Sequence, residues 1–450
     1  MDRAIEDFVR GLGLDAYLVG GAVRDELLGL DSKDADFVVP GVDYDGLRVA
    51  LEPHGRVEEF EVAGRRVGAR LYPRDAALRK LAPSGIEFAP PRAERSTGAG
   101  RHDFEIVADP SISIEEDMAR RDFTVNAMAR RLETGEVIDP FGGKDDLKRG
   151  VLRIVRPRSF AEDPLRLLRG LRLVSQLELE PDQETLEQMR AEAQSVALVS
   201  GERIGGGLHA DGLGELSKLL LGRRPAKALR LARDTGVLAA LLPEFAPAIG
   251  FEQDSDRQHL TLDEHVFEVV QAAADARASL PVRLAALFHD LGKPGANGKH
   301  AERGAQLTAA ALERLRYPTT LRAYVTRLVR GHAFPLEGVD ELFARRFLRE
   351  HGDDLAFDLV AHKEADLRGK KVSPAELEAA AQLRSLLEQQ RAQPHRLADL
   401  AIDGSDLIDL GFSEGPELGR TLEALLDAVV EDPSVNTRDR LLERARPMLS

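Results

Sequence analysis

The sequence predicts an α+β protein, a small mixed α/β head followed by a long all-α remainder. Three observations predict it. Short apolar runs bounded by glycine and polar residues alternate with helical stretches through about residue 130. Beyond about residue 111 helical periodicity takes over, and almost nothing reads as strand. No internal repeat or low-complexity linker interrupts the 450 residues, a length that predicts roughly two to four domains.

The head elements follow one by one. Tyr17, Leu18 and Val19 form an apolar run that ends at Gly20 and Gly21, as a buried strand would. Residues 22–28 read as a helix stopped by Gly29. Residues 37–39 read as a second strand, and residues 66–72 and 86–88 as further ones. Residues 92–101, RAERSTGAGR, are polar and glycine-containing, the composition of a mobile loop. Breaks at 204–214 and 391–396 help to divide the rest. The expected segments are a head at 1–140, a helical neck at 141–250, a helical body at 251–370 and a helical tail at 371–450.

Composition narrows the class. A 43% hydrophobic and 5% aromatic content is that of an ordinary globular protein. No apolar run reaches the roughly 18 residues needed to span a bilayer, so no membrane partner is expected. The charged, amphipathic start MDRAIEDFVRGLG resembles neither a signal nor a transit peptide, and cytoplasm is the expected compartment. The absence of cysteine excludes disulfide scaffolds and cysteine-based zinc sites. The net charge of −15 runs against a nucleic-acid binder, but phosphate contacts depend on local patches. Residues 403–432 are acidic, with Arg420 the one Lys or Arg. Residues 144–172 instead carry Lys144, Lys148, Arg149, Arg153, Arg156, Arg158, Arg166, Arg169 and Arg172. Nothing in the sequence points to a protein partner.

Chemistry enters with Gly20, Gly21 and Arg24, then Asp34 and Asp36. Glycines between a strand and a helix let the backbone approach phosphates, and the helix start behind them favours negative charge. Carboxylates two apart on a strand point to one side and suit a pair of cations. Such two-metal sites serve in-line phosphoryl displacement. Downstream come Asp122 and Asn126 in RRDFTVNAMA, four apart and, on a helix, on one face.

The ordered motifs GGAVRDELLG, DAD, RRDFTVNAMA, DPFGG and EDPLR resemble the bacterial class of CCA-adding tRNA nucleotidyltransferases and their poly(A) polymerase relatives. The resemblance covers essentially the whole chain, and it implies a polymerase-β-like nucleotidyltransferase head. It further implies that Asp34 and Asp36 bind catalytic Mg2+, that Gly20, Gly21 and Arg24 handle the triphosphate, and that Asp122 and Asn126 contact the ribose. A third carboxylate is expected on a neighbouring strand, with Glu87 the candidate and Glu105 the alternative. Implied partners are tRNA, CTP and ATP.

Glu162, Asp163 and Arg166 match the family's E-D-x-x-R motif, whose logic is chemical. Cytosine and adenine both present an amino donor beside a ring-nitrogen acceptor. An Asp accepts from the first and an Arg donates to the second. Uracil and guanine put a carbonyl where the amine should be and leave buried groups unpaired. On a helix, Asp163 and Arg166 would reach one base together. Asp163 before Pro164 is also a good helix cap, with Arg166 then solvent-exposed. DPFGG at 139–143 supplies a head–neck connection, and residues 92–101 a loop to assist the switch from C to A. Glu202 and Arg203 match a short neck motif, but Gly205, Gly206 and Gly207 then depart from the family's charged helix, as an insertion would.

A second constellation lies between residues 265 and 366: His265, His289, Asp290, His300, His332 and Asp366. Adjacent His and Asp can bind one metal with residues from neighbouring helices. The order resembles the HD phosphohydrolase superfamily. That resemblance implies His265, His289, Asp290 and Asp366 as the minimal ligand set, with His300 and His332 for a second metal (Mn2+, Ni2+ or Fe2+). Such a site would clean damaged RNA ends. Residues 402–419 resemble the family's tail, which implies a grip on the tRNA elbow. Alternatives are a poly(A) polymerase, an enzyme adding only CC or only A, or an HD phosphodiesterase or nucleotidase with a non-catalytic head.

Overall fold

Nine strands and their intervening helices build the head in the computed structural model, which describes residues 1–30, 35–62, 65–96, 104–206, 212–253, 260–295, 299–370 and 372–449. The strands are β1 (Tyr17–Val19), β2 (Asp36–Val38), β3 (Gly55–Val62), β4 (Arg65–Pro73), β5 (Ile86–Ala89), β6 (Arg92–Ser96), β7 (Phe104–Ala108), β8 (Ala129–Arg131) and β9 (Val137–Ile138). Seven of them form one sheet in the order β3-β4-β5-β2-β1-β8-β9. β2 and β5 run parallel, in a register that sets Asp36 beside Glu87. Alternation sends successive side chains to opposite faces. Leu18 and Phe37 therefore join a core with Val9, Leu47, Leu71 and Phe88 on one face. Tyr17, Val19 and Val38 meet Ile114, Met118 and Ala127 on the other. Asp36 shares its side of β2 with Val38, which aims it toward the segment that carries residues 117–126.

Three expectations are corrected. Part of 92–101 is a strand, because β6 pairs antiparallel with β7, Arg92 opposite Ala108. A two-stranded ribbon is held by backbone bonds, so it needs no apolar run, and the Arg92 N–H is anchored on the Asp117 carboxylate at 2.9 Å. Residues 97–103 lie outside the described residues. Strand does not stop near residue 111. β8 pairs with β1 and with the edge strand β9, and a two-residue strand Val151–Leu152 pairs in parallel with Glu180–Pro181. Nor do Asp122 and Asn126 share a helix. Phe123 is extended and bridges Ile154, the Thr124 N–H donates to the Arg153 carbonyl at 2.9 Å, and Thr124–Asn126 is one 3-10 turn. Pairing to the segment after it pulls this stretch out of helix.

Contacts divide the chain into two units, Met1–Pro243 and Glu244–Ser450. In the first, the neck centres on the helix Leu165–Leu177, whose Gly170 lets it close on Phe123. A Cβ there would sit 2.8 Å from the ring. At the glycine-rich departure, Gly214 N and Ser217 Oγ both donate to the Gly205 carbonyl, at 3.0 and 2.8 Å. Residues 207–211 lie outside the described residues. In the second unit, helices Leu262–Asp275, Leu280–Phe288, His300–Arg314, Thr319–Gly331 and Asp353–Arg368 supply the metal-type residues. Its C-terminal part packs Leu407, Leu425, Val429 and Leu441 into a separate apolar cluster. Among the described residues, no helix is long and apolar enough to cross a membrane.

Candidate active sites: an arginine-lined cleft and a histidine–aspartate cluster

A cleft of about 580 Å³ opens in the first unit. Gly20, Gly21, Arg24, Asp36, Glu87, Asp122, Asn126, Asp163 and Arg166 all line it, and with them Arg120, Arg121, Arg169, Arg172, Arg203, Glu215 and Lys218. Asp34 lies outside the described residues. The lining holds eight Lys or Arg against five acids, a local excess of cations in a chain of net charge −15.

The cations are held from behind. Asp117 is fully buried on the helix Ile114–Ala119, and its two oxygens meet Arg120 Nε at 3.1 Å and Arg121 Nη2 at 3.3 Å. Burial pushes the Asp117 carboxyl up, but Arg120 and Arg121 outweigh it and hold it below its usual value. Arg92 packs beside them, and burial with those like charges pushes its guanidinium down to about 10. Two guanidiniums thus share one buried carboxylate with a third beside them, an arrangement that favours a polyanion. Arg121 also explains Gly20. That residue sits at φ +72°, and a Cβ would lie 2.6 Å from Arg121 Nη1. Only glycine fits there.

A hydrogen-bond chain crosses the cleft wall. Arg24 Nη1 donates to Asn126 Oδ1 at 2.7 Å, Asn126 Nδ2 donates to Asp122 Oδ1 at 3.1 Å, and Arg169 Nε donates to Asp122 Oδ2 at 2.6 Å. Burial raises Asp122, yet Arg169 with its hydrogen bond outweighs it and keeps the carboxyl well below the usual range. Arg172 pairs with buried Glu215 at 2.8 Å. The two expected base-reading residues both reach the cleft, though not from one helical face. Asp163 is the extended residue before Pro164 and accepts from Leu165 N at 3.1 Å, so it does act as a cap. It also pairs with Arg203 at 3.1 Å. Arg166 lies in the first helical turn, only 9% exposed, and donates to Ser159 Oγ, Glu162 Oε2 and the Arg120 carbonyl. Its predicted solvent exposure as the partner of a mere cap is not what the structure holds.

Glu87 lies in register with Asp36 and accepts from Arg70. Glu105 belongs to β7, in the separate two-stranded sheet.

The second unit gathers all six residues of the other constellation. His265, His289, Asp290 and Asp366 are buried, with one ligand atom each within 4.8 Å of all the others. Asp290, His300 and His332 form a second such group. Three of the imidazoles are oriented from outside. His265 Nδ1 lies 3.0 Å from the Gly369 carbonyl, His289 Nδ1 2.9 Å from that of Ala286, and His332 Nδ1 2.7 Å from that of Val329. A carbonyl only accepts, so each Nδ1 carries the proton and each Nε2 faces the cluster with a lone pair. His265 Nε2 and His289 Nε2 are 3.3 Å apart, and Asp366 Oδ1 lies 3.2 Å from the former. Lone pairs facing lone pairs in a buried pocket fit a divalent cation, and the N/O donor set suits transition metals. Without one, burial pushes His289 down, but Asp290 and Asp366 outweigh it and raise it to about 9. Lys293 and Lys370 approach the same carboxylates, at 2.6 and 2.5 Å.

Comparison with known proteins agrees with this architecture. Residues 16–153 match the "Poly A polymerase head domain", residues 178–249 the "Probable RNA and SrmB- binding site of polymerase A", and residues 309–445 the putative "tRNA nucleotidyltransferase domain 2". The multifunctional CCA protein of Ralstonia nicotianae is 37% identical over 71% of this chain and 72% of its own length. That of Xanthomonas campestris pv. campestris is 33% identical over 92% and 97%. The chain belongs to the family of CCA-adding tRNA nucleotidyltransferases. The fold is shared as well. The Bacillus stearothermophilus CCA-adding enzyme in complex with CTP superposes with a TM-score of 0.68 at 23% identity, over 99% of this chain and 96% of that one. The Thermotoga maritima CCA-adding enzyme complexed with tRNA gives 0.57 at 22%, over 100% and 94%.

Several residues around this CCA-family cleft and the histidine–aspartate cluster were not singled out by sequence reasoning. Asp117 carried no motif of its own, although its positions three and four before Arg120 and Arg121 are those of helical ion pairs. Glu215 meets Arg172 across 43 residues, a pairing no local pattern encodes. Lys293 is three residues beyond Asp290 and Lys370 four beyond Asp366, spacings that were legible.

Proposed function

We propose that this chain adds C, C and A to the tRNA 3′ end from CTP and ATP, releasing pyrophosphate, in the cytoplasm. The observation that carries the reading is the cleft itself, where a strand-borne Asp36–Glu87 pair faces arginines held in place by buried carboxylates. Nucleotidyl transfer in this family is metal-dependent. Asp36 and Glu87 are carboxylates fit to hold Mg2+, with Asp34 as their expected companion, and the ion supplies activation of the 3′-OH and neutralisation of the leaving pyrophosphate. Arg24, Arg120 and Arg121, with the Gly20–Gly21 turn, bind the triphosphate. Asp122 and Asn126 orient the ribose through the chain that begins at Arg24. Asp163 accepts from the base amine and Arg166 donates to the ring nitrogen, and Arg203, paired with Asp163 at 3.1 Å, keeps that carboxylate aligned. The four expected segments, 1–140, 141–250, 251–370 and 371–450, are kept as head, neck, body and tail, with the tail's hold on the tRNA elbow the least supported by charge.

Offering CTP, ATP, UTP and GTP singly to tRNA lacking CCA tests the selection. Uptake of CTP, and of ATP once CC is in place, with UTP and GTP rejected, supports the reading. Long A tails would identify a poly(A) polymerase instead, and equal uptake of all four would remove the base-reading role of Asp163 and Arg166.

A second activity is favoured by the facing lone pairs of the histidine–aspartate cluster. We propose that His265, His289, Asp290 and Asp366, with His300 and His332, hold Mn2+, Ni2+ or Fe2+ and hydrolyse cyclic 2′,3′-phosphates or phosphomonoesters on RNA ends. Such an ion supplies an ionised water at neutral pH. Release of phosphate or ring opening on an RNA with a 2′,3′-cyclic end, abolished by chelation, checks it. No turnover with any of the three metals counts against it.

A further inference from the structure

His362 lies on the helix Asp353–Arg368, one turn before Asp366, and is 1% exposed. Neither of its ring nitrogens has a hydrogen-bond partner among the described residues. A buried polar group left unsatisfied is costly and calls for a partner. The ring packs edge-on against His289, with centroids 5.0 Å apart, and against His332 at 5.7 Å. It therefore touches one imidazole from each of the two donor groups. It differs from His265, His289 and His332 in having no carbonyl on Nδ1 to fix which nitrogen carries the proton. It also belongs to neither convergent set of ligand atoms. Its place outside both converging donor sets, against one ring of each, suits a hydrogen bond to coordinated solvent rather than direct ligation.

We propose that His362 is a positioning residue of this centre, hydrogen-bonding the water coordinated between the two donor groups. This rests on the metal-centre reading of the cluster. An imidazole with a free nitrogen fixes the direction of that water's lone pair toward a phosphorus centre, as partners of metal-bound groups do elsewhere.

The test uses the full chain, stripped of metal and titrated with Co2+, with His362→Phe and His362→Gln beside the unaltered protein. Phe keeps the ring packing and removes the nitrogens, while Gln restores a polar partner. Calorimetry is expected to give the same number of bound Co2+ ions in all three. The visible Co2+ spectrum is expected to change in His362→Phe and to return toward the original in His362→Gln. With bis(p-nitrophenyl) phosphate as probe, kcat is expected to fall about 10–100-fold in His362→Phe with KM little changed, and to recover in part with Gln. If His362→Phe does not fold, His362→Leu makes the same comparison. An unchanged spectrum and unchanged kcat would make His362 a packing residue. Loss of bound Co2+ would make it a ligand. Either overturns the proposal while leaving the metal centre standing. An unaltered protein that binds no Co2+ overturns the metal-centre reading itself, and this proposal with it.

Discussion

In the cleft of the first unit, arginines lean on carboxylates: Arg169 on Asp122, Arg172 on Glu215, Arg120 and Arg121 on Asp117. In the cluster of the second unit, lone pairs lean on lone pairs, with His265 Nε2 and His289 Nε2 3.3 Å apart and Asp366 Oδ1 beside them. The first arrangement holds an excess of cations in place with the protein's own buried carboxylates. It is aimed before any ligand arrives, so its specificity is a matter of geometry. The second turns its imidazole nitrogens and two carboxylates on one another, with Lys293 and Lys370 at the carboxylates' other sides, a donor set that suits a cation. Preorganisation is therefore built from ion pairs in one region and from carbonyl-oriented imidazoles in the other. The two respond differently to mutation, to pH and to chelators.

The largest expected effect falls on the cleft. Asp36→Asn keeps the shape and removes the charge beside Glu87, and incorporation of CTP and ATP is expected to drop about 10³-fold, roughly 4 kcal/mol of transition-state stabilisation. Single-turnover assays check it, and a loss below tenfold would leave the pair without a catalytic role. Next comes Asp117→Asn, which strands Arg120 and Arg121 without their shared anion. Breaking a buried pair by removing one partner predicts destabilisation of about 3 kcal/mol, read from urea unfolding of the full chain. Little change would mean that the guanidiniums reach solvent.

pH separates the regions. His289 is raised from 6.5 to about 9 in the metal-free protein by Asp290 and Asp366, against burial. His265, His332, His362, Lys293 and Lys370 face the same pocket. A raised folded-state pKa contributes stability that is complete below about 6.5 and lost as pH rises through about 9. Metal-free protein is therefore expected to lose on the order of 2 kcal/mol between those values, and excess Mn2+ is expected to flatten the decline, because the cation takes the proton's place. Thermal melts across that range decide it. A decline untouched by Mn2+ would argue against metal at the cluster.

Two smaller effects sharpen the account of base reading. Asp163→Ala is expected to reduce discrimination against UTP about 10–100-fold, with CTP uptake falling less than UTP uptake rises relative to it. Competition assays with paired nucleotides measure this directly. Arg203→Ala, at a pair whose side chains are 42% and 34% exposed, is expected to change stability by less than about 1 kcal/mol and to act mainly through KM.

What the sequence made legible follows the range of the interactions. Strand alternation and glycine breaks located β1, β2, β4 and β5, because those signals are local. The choice between Glu87 and Glu105 was not local. It depends on which strand lies next to β2, and the register that sets Glu87 beside Asp36 is a long-range pairing. Asp122 and Asn126 do touch, at 3.1 Å, but through a 3-10 turn rather than the expected helix. The contact was anticipated for a reason that does not hold. The ribbon of β6 and β7 escaped because a strand pair held by backbone bonds need show no apolar alternation. In the second unit the order of His and Asp residues sufficed to assemble both donor groups. His362 escaped because a lone histidine on a helix carries no pattern, although its spacing of four from Asp366 put it on the same face.

The central claim is that the cleft rebuilds a CCA end. The direct measurement supplies tRNA lacking that end with CTP and ATP together in Mg2+, and reads the product at single-nucleotide resolution for the unaltered chain and for Asp36→Asn. The account predicts growth by three nucleotides in the order C, C, A, then arrest, and no growth with Asp36→Asn. Growth that continues past the A, stops at CC, or survives Asp36→Asn would contradict it.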